Sequence, residues 1–539
     1  MIRSLLLASV ALSVAAPAAA QEKRRVAVLP YIELSQTAAA DLKNGDVLTY
    51  TSVAAGVDAS IDTRRASAQV SYRYEHRFGE TDHLGDEDVH SGLARASVLV
   101  TPGLTVEGGA LATRARSDIR GAAPGVLAGD RSNISQVYAL YAGPTLATNA
   151  GPVSLGAAYR IGYTKAEAPR VSGLPAGQRS LDYFDDSLGQ SATVSAGVAP
   201  RTVLPVGLSA SGGWFEERAG QLKQHYDDYY ARGDLLAPVS AHVALAGGVG
   251  YEKVETSQRS PLFAAPGVPA GVGRGRLVTD PASPRRVTYR TDGVYYDAGI
   301  IWKPNRRTTI AGYAGKRYGT DSYTGSISYQ ASPTVGVGVQ VYDTVTTFGR
   351  QLRTGLGQLP TSFVSTRDQF AQQFTGCTYG TSGAAPGGCL NDVFQSVTTA
   401  SYRARGVDGV ISARRGVSTF GAGAGYANRK LFAPDQVAGA TIYGLEDQSW
   451  YGDLFYSRSL SPVSGVDAQA FVNYYDPALR GAQDVLSVGA TASYYHDFGR
   501  LSTTAALGLY AFRFGDGDQT SLAGQALLGA RYTFGGIGR

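Results

Sequence analysis

The chain has 539 residues and a formal net charge of +5, from 49 basic and 44 acidic side chains. A balance so close to neutral at this length is not the footprint of a nucleic-acid binder. With 68 glycines and 33 tyrosines, and no apolar run near 18 residues after the first twenty, the chain reads neither as a string of soluble domains nor as a helical inner-membrane protein.

The first segment has the form of an export signal. Met1-Ile2-Arg3 is positive, Leu5 to Ala16 is apolar, and Ala18-Ala19-Ala20 offers a small-residue cleavage site before Gln21. The apolar run falls short of the ~20 residues that cross a bilayer. The expectation is a signal peptide over 1–20, with cleavage set by Ala18, Ala20 and Gln21, and one further unit over 21–539.

That unit alternates with a period of two. From Ala66 to Phe78, one face carries Ala66, Ala68, Val70, Tyr72, Tyr74, His76 and Phe78, and the other Ser67, Gln69, Ser71, Arg73, Glu75 and Arg77. Val153 to Thr164 and Val466 to Tyr475 repeat the pattern. Alternation of this kind hides apolarity from a running average, because lipid-facing and lumen-facing residues cancel.

The fold class expected is all-β, a transmembrane antiparallel barrel of about 22 strands, give or take two. In chain order the strands fall near 27–37, 47–61, 64–77, 90–101, 104–116, 132–147, 152–165, 187–199, 205–217, 222–235 and 239–256. They continue near 287–302, 307–318, 321–331, 334–348, 398–412, 417–428, 442–459, 464–475, 484–497, 500–514 and 519–534. Connections alternate between short turns, such as Pro102-Gly103 and Gly499, and long stretches, such as 117–131, 166–186 and 257–286. Short periplasmic turns and long extracellular loops are the asymmetry of an outer-membrane barrel, and an even count puts both termini in the periplasm. The last strand has Leu522, Gly524, Ala526, Leu528, Ala530, Tyr532 and Phe534 on one face. Gly529, Tyr532 and Phe534 resemble the C-terminal signal that the barrel assembly machinery reads, which implies the outer membrane of a Gram-negative bacterium and outer-membrane lipids as surroundings.

The longest connection, 349–397, holds Cys377 and Cys389, the two cysteines of the chain. In an oxidising periplasm they are expected to pair. Ser365 to Phe374 reads as an amphipathic helix capped by Ser365. Two placements fit this loop: folded inward to narrow the lumen, or closing over the outer surface.

Lumen-facing charges are expected at Arg73, Glu75, Arg77, Arg160, Asp467 and Arg531. Inward arginines favour anionic solutes, and cross-strand ion pairs that brace the wall fit the same residues. Tyr226 to Tyr230, Tyr295-Tyr296, Trp302, Trp450-Tyr451, Tyr474-Tyr475 and Tyr494-Tyr495 read as interfacial girdles. Loop 79–90 is rich in carboxylates without the spacing of a calcium loop. No nucleophile motif, metal-binding helix or phosphate loop is present in the sequence, so the expectation is no enzyme, no catalytic or metal residue and no cofactor.

The run Pro30-Tyr31-Ile32-Glu33-Leu34-Ser35-Gln36 is followed by Gly56-Val57-Asp58-Ala59-Ser60-Ile61, by Arg64-Arg65 and by Tyr72-Arg73-Tyr74-Glu75-His76-Arg77. Together with Leu359-Pro360 and Phe363 ahead of the strand at 398–412, this order resembles the outer-membrane β-barrel family associated with exosortase (PEP-CTERM) systems. The resemblance implies a link to exopolysaccharide export or surface display; it implies no site residues, and the cysteine pair is not part of it. TonB-dependent transporters of similar strand number carry an N-terminal plug, for which the roughly ten residues between Gln21 and the first strand leave no room.

Three readings follow. A conduit, passive or gated, for polysaccharide or an anionic solute calls for an open lumen lined by small and polar groups. A structural barrel anchoring a surface assembly calls for a lumen filled by 349–397 and for paired charges. An outer-membrane enzyme calls for polar groups converging at the outer rim.

Overall fold

The computed structural model describes residues 25–43, 45, 47–80, 86–117, 133–167, 184–265, 268–269, 278–364, 366–371, 374, 376–394, 396–432, 445–477, 483–515 and 520–535. The expected signal segment with Ala18, Ala20 and Gln21 lies outside these, as do residues 81–85 of the acidic loop.

Twenty-two long strands form one sheet. They are β1 Arg25–Asp41, β2 Val47–Asp62, β3 Ala66–Gly79, β4 Glu87–Thr101, β5 Leu104–Arg116, β6 Ile134–Ala150 and β7 Val153–Glu167. Next come β8 Asp186–Val198, β9 Gly207–Ala219, β10 His225–Pro238, β11 Val243–Gln258, β12 Arg286–Asn305, β13 Thr308–Arg317 and β14 Thr320–Ser332. The ring is completed by β15 Val335–Thr346, β16 Ser401–Arg415, β17 Ser418–Phe432, β18 Glu446–Ser461, β19 Ser464–Asp476, β20 Val485–Phe498, β21 Leu501–Phe514 and β22 Thr520–Thr533. Each pairs antiparallel with the next, and β1 pairs with β22 from Tyr31↔Thr533 to Asp41↔Ala523. The sheet therefore has no free edge along that join, as a strand ring in hydrocarbon requires. Every strand expected from the alternation is present.

The outer face is apolar. Leu507, Leu509, Leu528 and Val294 are each more than 60% exposed, which in water is a liability and in lipid is the solvation the side chains need. Their strand neighbours Ala506, Tyr510, Leu527 and Tyr295 point inward and are buried. The closed ring with this outer band makes the protein an outer-membrane β-barrel. The aromatic doublets split between faces because successive side chains alternate: Trp450 is exposed and Tyr451 buried, Tyr296 exposed and Tyr295 buried. Only the outward member of such a pair belongs to a girdle, as in the row Tyr426, Trp450 and Tyr474, with ring centroids 4.9 and 5.6 Å apart.

The short turns at 102–103, 151–152, 416–417 and 499–500 lie at one rim. Gly103 at φ 87° and Gly499 at φ 71° occupy the left-handed region that such tight reversals need. Beside this rim the chain ends are stitched: Phe534 N donates to Pro30 O at 2.9 Å, and the Phe534 ring meets Tyr532 edge-on at 5.2 Å. Phe534→Ala is expected to lower the assembled, heat-modifiable barrel in outer membranes several-fold; unchanged levels on unheated gels would contradict a signal role for Gly529, Tyr532 and Phe534.

Candidate functional site in the lumen

The segment 347–400 leaves the top of β15 and returns to the top of β16, and between those points it folds inside the ring. It opens with helix α1, Phe348–Gln358, capped by Thr347, whose Oγ1 accepts from Arg350 N at 3.2 Å. Past the helix, Thr361 Oγ1 lies 2.9 Å from Ser67 Oγ, at the base of β3 beside the short turn at 63–65. A hairpin follows, Cys377–Ser382 with Ala385–Cys389, and its tip donates from Gly383 N to Pro333 O, in the short turn between β14 and β15, at 2.8 Å. The loop thus crosses the lumen from the outer rim to the periplasmic turns. Of the two placements open in the sequence, the inward one is found.

The helix is not where the sequence pattern put it. Residues 366–371 form a turn in which Asp368 Oδ1 accepts from Phe370 N at 2.9 Å and Ala371 N at 2.8 Å, closed by a bridge between Arg367 and Phe374. Asp368 does the capping there, and Ser365 lies outside the described residues. The true helix carries Gly349, Gly355 and Gly357, each costing about 1 kcal/mol of helix propensity, so its local signal is weak. Packing explains two of them: a Cβ on Gly355 would run into Leu390 Cδ2, and one on Gly349 into Ser187 Oγ.

Apolar contacts fasten the plug to one side of the wall. Phe348, Leu352, Leu356, Leu359, Val393 and Val397 bury themselves with Leu93, Leu111, Val137 and Tyr141 of β4 to β6. The hairpin lies against β16 to β18, joined by the Cys377–Cys389 disulfide and packed with Val410, Tyr451 and Phe455. Wall glycines make room for it: a Cβ on Gly421 would stand 2.5 Å from Tyr379 Cγ, and one on Gly423 2.5 Å from Cys377 Sγ. Phe370 and Ala371 pack on Ala506 and Tyr510 of β21 and Leu527 of β22, and polar contacts add to these. Arg353 pairs with Glu217 of β9, Arg350 Nη2 with Asp228 of β10 at 3.0 Å, Arg77 Nη2 reaches Phe370 O at 2.7 Å, and Tyr379 Oη reaches Asp453 Oδ1 at 2.6 Å. Removing one partner of a buried pair such as Arg353–Glu217 costs about 3–5 kcal/mol, because the other charge is left without its counter-ion.

Of the six charges read from the alternation, five stand in ion pairs. Arg73 bridges Glu33 at 2.8 Å and Glu75 at 2.9 Å, and Arg77 holds the other oxygen of Glu75 at 2.6 Å. Arg160 meets Glu107 at 3.3 Å. Arg531 meets Asp58 at 2.6 Å, with its guanidinium 3.4 Å from the Tyr31 ring centroid. Asp467 is half-buried between Ser457 and Ser493 on the flanking strands. Each arginine of the set therefore has a carboxylate partner. Sequence reading missed the plug contacts on β9, β10 and β18, because Glu217, Asp228 and Asp453 have no local signal that points to residues more than a hundred positions, or in the last case 74, away. It also missed an outward group near the outer rim, Glu216, His225 and Asp227. These are satisfied among themselves and by Arg218: His225 Nε2 to Asp227 Oδ2 and Arg218 Nη2 to Glu216 Oε1 are each 2.6 Å.

No family model matches the chain, and no curated protein matches it either. Among solved structures the chain is similar to the ferric-catecholate import receptor Fiu from Escherichia coli K12, at 10% identity over 94% of this chain and 81% of that one, with a TM-score of 0.46. It is similar to the FrpB iron transporter from Neisseria meningitidis, at 11% identity over 94% and 82%, with a TM-score of 0.42. It is similar also to the siderophore receptor PiuA from Acinetobacter baumannii, at 10% identity over 96% and 82%, with a TM-score of 0.41. At such identities and scores none of these likenesses bears on what the chain carries.

Two outcomes follow from the plug's chemistry. Burial raises the carboxyls of Asp368 and Asp392 above the ordinary range, against the hydrogen bonds they accept. A raised folded value means the docking they support is complete below about pH 4, where both states are protonated, and is lost as pH rises through the raised value. Plug displacement, read as channel openings, should be rarer at acid than at neutral pH, with Asp368→Asn weakening the trend; more frequent openings in acid would contradict it. Cys377→Ser with Cys389→Ser removes a closed loop worth roughly 3 kcal/mol. Amide exchange in the hairpin should quicken on the order of a hundredfold with β1 to β5 unchanged, and an unchanged hairpin would show that the bond is not what holds it.

Proposed function

We propose that the protein is a gated conduit of the outer membrane, shut by its own 347–400 loop. One observation carries the reading. The β15–β16 ladder ends at Thr346↔Tyr402, so the loop starts and finishes at one point of the rim. It can swing out without breaking a hydrogen bond of the barrel ladder. Beneath it, buried hydroxyls of Tyr141, Tyr230 and Tyr451 have no partner; a solute or water satisfies them once the plug moves, which supports the plug as a removable occupant.

A passive pore is the poorer account, since the open lumen it calls for is occupied. The anchoring barrel is the second reading, favoured by the filled lumen and the paired charges, both of which the sequence argument assigned to it. Against it stands the width: a ring of eight strands is filled by side chains alone, and an anchor has no need of 22. As cargo we propose an acidic polysaccharide or another anionic solute. The link to exopolysaccharide export rests on the sequence resemblance, and partnership with the barrel assembly machinery on the C-terminal strand.

Planar-bilayer recording of the full chain tests this. Rare discrete openings are expected, rising at least tenfold in Gly421→Val, whose side chain displaces Tyr379, and blocked by an anionic polysaccharide. If the natural chain and Gly421→Val are both silent while a deletion of 348–399 conducts, the barrel is structural and the conduit reading falls.

A further inference from the structure

The ring is not equally stitched all the way up. The β13–β14 hairpin is short, reversing at Tyr318 and Gly319 with φ of 55° and 75°, a pair of left-handed residues of the kind that makes a two-residue turn. β12 overtops it, and β15 parts from it near the top. β12 ladders to β13 only from Tyr296↔Lys316 downward, so Arg286–Tyr295 pair with β11 alone. β14 ladders to β15 only from Gly325↔Val341 downward, so Tyr342–Thr346 pair with β16 alone. Among the described residues this is the deepest break in the ladder.

Side chains close the break. Tyr289 of β12 stacks on Phe432 of β17 at 4.3 Å and 18°, in a cluster with Tyr226, Val254, Val345 and Tyr318. Thr256 Oγ1 of β11 and Ser401 Oγ of β16 are 2.9 Å apart. Arg405 reaches back from β16 to Thr320 Oγ1 at 3.0 Å and Asp321 O at 3.1 Å on the hairpin. A backbone ladder must be unpicked bond by bond, whereas a seam of this kind parts by rotating side chains. The outward aromatics Tyr251, Tyr296 and Tyr323 mark the interface level on these strands, and the break begins there, so parting it exposes no unpaired backbone to hydrocarbon.

The plug is tied to this seam. Thr347 and α1 follow directly on Thr346, and Tyr226 Oη, in the seam cluster, donates to Val345 O at 3.0 Å and contacts Arg350 of the plug. Resting on the conduit reading above, we infer that the plug leaves the lumen together with the upper end of β15 and the strands laddered to it, which bend away from β11 and β12 along this seam. The seam is the hinge line of the gate.

The test is a pair of staples in the Gly421→Val chain. Thr256→Cys with Ser401→Cys bridges the seam. Ser35→Cys with Ser52→Cys, whose hydroxyls are 2.6 Å apart across the intact β1–β2 ladder, is the control. Peptide mapping confirms each bond beside Cys377–Cys389, and heat-modifiability confirms the folded barrel. The seam staple is expected to cut open probability at least tenfold and the control staple to leave it unchanged. Equal conductance with both staples overturns the hinge and leaves the conduit standing. Silence of the unstapled Gly421→Val chain overturns the conduit, and the hinge with it. If the seam staple does not assemble, amide exchange of the natural chain decides: Tyr342–Thr346 should exchange faster than Leu34–Ala38, and equal protection overturns the hinge.

Discussion

A strand ring in a membrane must satisfy every backbone N–H and C=O within the ring, because hydrocarbon offers no partner. Here that requirement is met by 22 strands closed from Tyr31↔Thr533, and the remaining architecture follows from the number. A ring this wide encloses more space than its inward side chains fill. The lumen is therefore a second interior, and among the described residues the 347–400 connection supplies much of its contents.

That interior is not packed uniformly. On the side of β4 to β6 the plug forms a core like that of a soluble domain, with Leu352 and Leu356 fully buried against the wall. Burying a leucine is worth about 1.5–3 kcal/mol, and this side is the plug's base. Towards β9 and β10 the contacts are guanidinium–carboxylate pairs, which bind by geometry and charge and exchange readily for water or solute. The disulfide hairpin is a rigid finger laid on wall glycines. An apolar base, a polar front and an attachment at one point of the rim together describe a part that can move as a body.

The strands were legible in the sequence because each signals itself twice, by alternation and by the turn that ends it. The first strand and the last were equally clear, although their pairing joins residues as far apart in the chain as Glu33 and Arg531. What could not be read was anything set by the third dimension of the lumen. The inward direction of Arg73, Arg77 and Arg160 was plain, but their carboxylate partners depend on cross-strand register. The helix at Phe348–Gln358 is hidden by its own glycines, and the aromatic pattern that reads as a helix further on serves, over 366–371, a turn capped by Asp368. The doublets read as girdles are half luminal, since alternation sends one ring of each pair inside.

The claim on which the account rests is that the 347–400 loop is folded to full depth inside the ring. Ser67, at the periplasmic base of β3, and Thr361, in the loop, have hydroxyls 2.9 Å apart. Ser67→Cys with Thr361→Cys, formed in intact outer membranes and mapped by peptide mass, measures that depth directly. The account predicts near-complete bridging between the two introduced cysteines, with Cys377–Cys389 retained. Free thiols at both positions in a folded barrel would mean that the loop caps the outer surface and the lumen holds something else.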